Sequence, residues 1–307
     1  MGDTVSAGRR RMRQYPAWVP YAFIAPSVLI FALFIVWPAL NGFYQSVFTR
    51  GIIVRPDIPG LGAAYVGLAN YERVLGDERF LSALGNTLLF SAATVPLIML
   101  LSLALALVLQ KRFRGVGAAR AVVYWPSMIS FIMVGIAWKW ILNFESGIAN
   151  YLLGLAGSPK VGWLVSPSLA MASIVGVSAW ASAGFYMVMY IGGLNSIPEV
   201  YYEAALIDGA SSLERFRYVT LPLLRPTILL VMVLATINCF KVYQQSRVLT
   251  AGGPGRATVF LVQNIYEEAF KLPNSVGYAS AQSALFFLVM LALTLVQLRL
   301  GGRDGEA

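Results

Sequence analysis

Two groups of polar and aromatic residues interrupt otherwise apolar stretches of this 307-residue chain. Ser178, Ser182 and Phe185 recur at i, i+4 and i+7, so on a helix they share one face. Asn238, Lys241, Val242 and Gln245 repeat the pattern and are expected on one face of a second helix. Such side chains suit reversible hydrogen bonding and ring contact. Plain packing is the competing reading, because small and hydroxyl residues let membrane helices approach closely. Groups that covalent catalysis usually needs are scarce. The chain has no histidine, which excludes His general bases, His-ligated metals and His proton relays. Cys239 is the single cysteine, so no intrachain disulfide can form. No Asp or Glu falls in the middle of an apolar stretch, with Glu145 and Glu199 at ends, which argues against coupling to protons or sodium through buried carboxylates. No G-x-x-x-x-G-K-[ST] pattern occurs; Gly252 to Thr258 is glycine-rich but lacks the lysine. Energy for any pumping must therefore come from a partner. A Ser–Lys intramembrane hydrolase and an ATP-independent channel or carrier remain as rival readings.

The elements that must position these residues are membrane helices. The chain is 58% hydrophobic and 12% charged, whereas soluble domains are roughly half apolar and a quarter charged. A membrane helix needs about 20 mainly apolar residues. Six stretches qualify: Trp18 to Tyr44, Thr87 to Gln110, Ala121 to Leu142, Leu169 to Leu194, Thr227 to Gln245, and Tyr278 to Leu298. Lys and Arg concentrate at one side of this six-span, all-α arrangement: Arg9, Arg10, Arg11 and Arg13; Lys111, Arg112, Arg114 and Arg120; Arg215, Arg217 and Arg225; Arg299 and Arg303. In the opposite loops Arg50, Arg55, Arg73 and Arg79 are offset by Asp57, Glu72, Asp77 and Glu78. The basic side is expected to be cytoplasmic, with both termini there. The division is residues 1–17 as a basic N-terminus, 18–299 as a six-helix transmembrane domain, and 300–307 as a tail. The net charge of +9 thus reflects membrane orientation and not nucleic-acid binding. Pro26, Pro38, Pro96 and Pro126 fall inside spans, where they bend helices.

Between the fourth and fifth spans, residues 196–226 form a polar insert. Pro198 suits a first helical turn, Tyr201 to Ile207 reads as a short helix, and Gly209 falls at its C-cap. Ser211 and Glu214 have capping-box spacing, so a second helix starts there and ends near Leu221-Pro222 and Pro226. A structured, charged element between two spans offers a docking surface to an aqueous partner.

That insert, EAALIDGASSLERFRYVTLPLLRP, resembles the EAA loop of ABC importer permeases, with Val219 where isoleucine is usual. VGLANY at Val66 to Tyr71, followed by Phe80 and Asn86-Thr87, is similar to the carbohydrate-importing branch. So are TAGGP at Thr250 to Pro254, Thr258, IYEEAF at Ile265 to Phe270 and the run Gly277 to Ser283. The resemblance extends from about Trp18 to Leu298 and implies a non-catalytic permease subunit in a prokaryotic cytoplasmic membrane. It implies that Glu203, Ala204, Ala205, Asp208, Gly209, Leu221 and Pro222 couple to an ATPase through a cytoplasmic helix. It further implies four kinds of partner: a second homologous permease, two ATPase subunits that hold ATP and Mg, an extracytoplasmic solute-binding protein, and lipid. The chain itself is expected to bind no cofactor or metal. Ser178, Ser182 and Phe185 fall on positions that contact sugar in the maltose-type family, and Asn238, Cys239 and Val242 on or near the corresponding fifth-span positions. The implied cargo is an oligosaccharide or related polyol, with glycerol 3-phosphate or a glycerophosphodiester as the alternative. Lys241 bears on that choice. It stands 14 residues beyond Thr227, roughly 21 Å along a helix, and either snorkels outward or attracts an anionic solute. Lys139, between Trp138 and Trp140, is expected to snorkel at an aromatic belt.

Overall fold

A computed structural model of the chain describes residue 16 and residues 18–48, 65–111, 113–272 and 275–302. Arg9, Arg10, Arg11, Arg13, Arg50, Arg55, Asp57, Arg112 and Arg303 lie outside the described residues. Among the described residues all regular structure is helical; an isolated bridge pairs Phe48 with Tyr65. Four helices are long and apolar enough to cross a membrane: α1 (Val19–Gln45), α3 (Glu78–Leu109), α7 (Pro167–Asn195) and α13 (Val276–Gly302). A short α2 (Ala69–Leu75) precedes α3.

Local chemistry sets several ends. The Asp77 side chain accepts the N–H of Arg79 and so caps the start of α3. Burial raises the Asp77 pKa, but hydrogen bonds from Tyr278 and from the N–H groups of Arg79 and Phe80 outweigh it and hold the carboxyl below its ordinary value. At the far end, Arg120 Nε and Nη2 donate to the Leu109 carbonyl at 2.9 and 2.7 Å, placing a cation on a helix C-terminus. Pro167 opens α7 after an extended Ser166, where its missing N–H is not needed.

Two expected spans are not continuous. The stretch from Ala121 to Leu142 is split into α4 (Val116–Met128) and α5 (Phe131–Ile141), bent by 97°. Ile129 is extended, and the Ser130 side chain accepts the Ile132 N–H, starting a new helix in a new direction. A surface helix, α6 (Ile148–Leu155), follows. The fifth stretch is shorter than expected. α10 (Arg225–Phe240) ends at Phe240; Lys241 is its C-cap, and a separate α11 (Gln244–Leu249) begins after Tyr243. Asn238, Lys241, Val242 and Gln245 therefore do not share a helix face. Tertiary contacts impose the stop. Ser246 donates to the Thr258 carbonyl and to Gln263 Oε1 on α12 (Leu261–Lys271), and α11 packs on α5 so closely that a Cβ at Gly135 would lie 3.0 Å from Val248.

α7 is the middle of the bundle, packed on α3, α4 and α10. Of its most apolar window 67% is buried inside the protein, against 33% for α3, 6% for α13 and 0% for α1. α1 and α13 are apolar yet uncovered, so they suit an apolar solvent. The loops that carry the motifs noted above are fastened by residues of those motifs. Asn70 Nδ2 donates to the carbonyls of Ser46 and Phe48, both at 2.8 Å. Asn86 Nδ2 donates to the carbonyls of Arg256 at 3.2 Å and Val259 at 3.1 Å. The Thr87 hydroxyl accepts the Leu261 N–H at 2.9 Å, and Thr258 donates to the Gly253 carbonyl at 2.7 Å.

Glycines set the closest crossings of α7. A Cβ at Gly184 would lie 2.2 Å from the Val123 carbonyl oxygen on α4, and one at Gly193 would lie 2.3 Å from Thr227 Oγ1 and 2.9 Å from Leu224 Cδ1, beside the start of α10. Gly192, one residue away, has nothing within 4 Å. Gly193→Ala is expected to destabilise the protein by about 1–3 kcal/mol through overpacking, whereas Gly192→Ala should be neutral or stabilising by up to about 1 kcal/mol through helix propensity. Thermal melting of the detergent-solubilised protein distinguishes the pair; indistinguishable melting of the two variants contradicts the crossing.

Candidate functional site

α3, α7 and the two helix breaks enclose a cavity of about 560 Å³. Phe90, Thr94 and Ile98 face it from α3; Ser127 and Ile129 face it at the α4–α5 break. α7 contributes Ser178, Ser182, Phe185 and Tyr186, and α10 contributes Asn238 and Cys239. Lys241 and Tyr243 line it from the break beyond α10, and Gln244 and Gln245 from the start of α11. Of the residues proposed from spacing, Ser178, Ser182, Phe185, Asn238 and Lys241 thus meet at one cavity. Val242 does not. It is 2% exposed and packed in the core, because the chain leaves the helix at Lys241 and turns the next side chain inward.

The cavity wall is polar in a particular way. Asn238 Nδ2 donates to Tyr186 Oη at 2.9 Å, joining α10 to α7. The Phe185 and Tyr186 rings meet edge-on at 5.1 Å. Lys241 is the one charged side chain among the lining residues. The hydroxyls of Thr94 and Ser178 are buried with no partner within the described residues. Ser127, which spacing did not single out, joins the break to the wall. Its Oγ donates to the Ala181 carbonyl at 2.8 Å and accepts the Phe185 N–H at 3.1 Å. Those are the two ends of one i→i+4 turn of α7, so a side chain from α4 is inserted into the helical ladder at the turn that carries Ser182. The contact at Gly184 is what lets α4 come close enough. Pro126 was a visible signal of a bend there, but not of a hydroxyl reaching a neighbouring helix. Tyr186 was legible only as one more aromatic beside Phe185.

A second element is the insert after α7. α8 (Glu199–Ile207) starts with Pro198 at its N-cap, one position before the first-turn site expected for it. Gly209 has φ +78°, a left-handed conformation that ends α8. The capping box is present in both directions: Glu214 N–H to Ser211 Oγ at 3.4 Å, and Ser211 N–H to Glu214 Oε2 at 2.7 Å. α9 (Ser212–Leu223) follows, with a π turn at Phe216–Thr220, and meets α10 at a 66° bend at Leu224. The hydroxyls of Tyr202 and Thr220 lie 3.0 Å apart and tie α8 to α9. Glu203, Ala204, Asp208, Gly209, Leu221 and Pro222 are exposed; Ala205 is half-buried. Ile207 and Leu213, which spacing did not nominate, are 87% and 74% exposed, so the element presents apolar as well as charged surface. Ser182 is 13 residues and Tyr186 9 residues from the end of α7, which separates the cavity from this element by about 14–20 Å along the helix.

Comparison with known proteins places this arrangement. The trehalose/maltose transport system permease protein MalF of Thermococcus litoralis is 36% identical over 293 residues, 95% of this chain and 96% of that one. The sn-glycerol-3-phosphate transport system permease protein UgpA of Agrobacterium fabrum is 34% identical, covering 92% and 94%. The sulfoquinovosyl glycerol transport system permease protein SmoG of the same organism is 30% identical, covering 94% and 95%. In fold, the chain is similar to a subunit in the crystal structure of a bacterial ABC transporter that imports the acidic polysaccharide alginate, with a TM-score of 0.79, 23% identity, and coverage of 94% and 96%. The family model for the binding-protein-dependent transport system inner membrane component matches residues 79–302. With that match over most of its length, this multi-pass chain belongs to the family of inner membrane components of binding-protein-dependent transport systems, the permease subunits of ABC importers.

Proposed function

We propose that the chain forms half of the pathway for a neutral oligosaccharide or related polyol. The observation that carries this is the cavity lining: hydroxyl, carboxamide and aromatic groups, with a single cation at the edge. A phosphate group carries up to two charges and is normally held by several donors, often arginines; one lysine beside amides is a weak match. The sugar reading is supported by the trehalose/maltose relative. The second reading, glycerol 3-phosphate or a glycerophosphodiester, is supported by Lys241 itself and by the relative named for that solute.

In the proposed cycle an extracytoplasmic binding protein delivers solute at the loop end of the bundle. A related alginate transporter has been crystallised with its alginate-bound periplasmic protein, which supports this step. A second, homologous permease completes the passage. Two ATPase subunits, which hold ATP and Mg, receive α8 and α9, and their closure moves the permease between inward- and outward-open states. Both termini and the α8–α9 element are then cytoplasmic, and the chain performs no covalent chemistry.

Uptake of labelled solutes tests the cargo. Lys241→Gln should cost a neutral sugar little, because glutamine still hydrogen-bonds a hydroxyl. Asn238→Leu should cost it more, by about 0.5–1.5 kcal/mol for a lost neutral hydrogen bond. For a phosphorylated solute the order reverses, with about 1.5–3 kcal/mol lost at Lys241. A severe Lys241→Gln defect beside a mild Asn238→Leu defect overturns the sugar reading.

Coupling is tested at Gly209. Proline cannot adopt φ +78°, so Gly209→Pro should abolish ATP hydrolysis stimulated by the loaded binding protein while the complex still assembles. Glu203→Lys should act in the same direction. Wild-type stimulation in both variants removes the coupling role.

Orientation is tested by thiol labelling of intact cells. Cys239 is buried and gives little background. Ser212→Cys and Arg114→Cys should resist an impermeant maleimide, and Lys160→Cys should react. Labelling of the Ser212 variant from outside inverts the proposed topology.

A further inference from the structure

α12 carries two stripes side by side. Val262, Tyr266 and Phe270 recur at i, i+4 and i+8; Gln263, Glu267 and Lys271 recur at the same spacing, one residue on. The first stripe begins at the cavity, where Val262 and Tyr243 both form wall. The Tyr243 and Tyr266 ring centroids are 5.5 Å apart, and those of Tyr266 and Phe270 are 5.1 Å apart. Exposure rises along the row, from a half-buried Tyr243 to 43% at Tyr266 and 76% at Phe270. The second stripe is polar and bonded along its length: Gln263 Nε2 donates to Glu267 Oε1 at 3.3 Å, and Lys271 Nζ to the same oxygen at 3.1 Å.

We propose that Tyr243, Tyr266 and Phe270 form a stacking track for the pyranose rings of an oligosaccharide, leading from the exposed end of α12 into the cavity. The inference rests on the sugar reading and extends it from a pocket to an elongated path. A pyranose presents C–H faces that pack against aromatic faces, and hydroxyls around its rim that need hydrogen-bond partners. Rings in a row, beside the partly exposed carboxylate of Glu267 and ammonium of Lys271, supply both needs along one line; Gln263 is buried and holds Glu267 in place. An apolar face turned to lipid would not carry Glu267 and Lys271 beside its rings, because charges there are costly. A phosphorylated three-carbon solute has no ring to stack. Three rings at near-regular spacing suit a chain of sugar units more than a single one, and ring stacking tolerates movement along the track because it does not depend on one fixed hydrogen-bond geometry.

The test uses the complete transporter, with its second permease, ATPase subunits and binding protein, in proteoliposomes. Uptake is measured for maltose, maltotriose and maltohexaose at saturating binding protein, with sn-glycerol 3-phosphate as a ring-free comparison. Tyr266→Leu keeps apolar bulk and removes the ring; Tyr266→Phe keeps the ring. Maltohexaose uptake is expected to fall five- to tenfold in Tyr266→Leu, maltose uptake less than twofold, and Tyr266→Phe should match wild type. Loss that is equal at every chain length assigns Tyr266 to packing and overturns the track, as does no loss at all; in either case the sugar reading stands. Wild-type complex that imports sn-glycerol 3-phosphate and no member of the glucan series removes the sugar reading and the track with it. Should Tyr266→Leu fail to assemble, Phe270→Leu at the exposed end gives the same comparison, with the same outcomes.

Discussion

Lipid offers no hydrogen bonds, so every break in a spanning helix must find partners within the protein. That constraint organises this chain. Among the described residues, the breaks at Ile129–Ser130 and at Lys241–Tyr243 both contribute lining to the same cavity. Side chains take up the nearby donors and acceptors. Ser130 caps the new helix, Ser127 bridges a carbonyl and an N–H of α7, and Ser246 holds the segment after the second break to the loop that follows. Irregular backbone where it lines a polar passage is tolerated for the same reason that it is excluded from a lipid-facing surface. The cavity is therefore a consequence of where breaks are permitted, as much as of which side chains fill it.

Close approach makes these bonds possible. Ser127 reaches the α7 ladder because Gly184 leaves no side chain between α7 and the Val123 carbonyl. Gly135 plays the equivalent part between α5 and α11. α7 has small or hydroxyl residues along much of its length, and its neighbours crowd it on several sides, which makes it both the most buried long helix and the richest in cavity residues. Packing and lining the cavity are thus not alternatives for its serines. Ser178 is buried in the core and also lines the cavity.

What could be read from the sequence was local. Gly209, Ser211 and Glu214 act on residues two or three positions away, so the α8–α9 turn and its capping box follow from spacing alone. The apolar blocks likewise located the spans. The breaks were not legible as breaks, although Pro126 signalled a bend near the first. No glycine or proline marks Lys241 to Tyr243, and an apolar run continues through Ile129, so a pattern-based reading extends both helices. Contacts distant in sequence decide otherwise: Ser246 with Thr258 and Gln263, and α11 against α5. Ending α10 at Phe240, two residues before Val242, is what removes that residue from the cavity while Lys241 stays. The pairing of Asn86 and Thr87 with backbone 170 to 174 residues away was equally beyond reach of spacing, although the residue types were recognisable as motifs.

The connectivity also limits how the proposed coupling can act. α7 runs without a break from the cavity to α8, and α10 runs from the 66° bend at Leu224 to Asn238 and the second break. Any displacement of α8 and α9 is therefore delivered to the two helices that share the Asn238–Tyr186 hydrogen bond. Near the α8–α9 end, Gly193 packs against Thr227 and Leu224 with no space to spare, so α7 and α10 are held together there. Farther along, they are joined by a side-chain bond next to an empty volume. Packed interfaces resist continuous deformation, so under the proposed coupling the Gly193 crossing moves as one unit. The break beyond α10 lies at the opposite end of that helix from the Gly193 crossing, and Lys241 and Tyr243 leave the helix there to line the cavity.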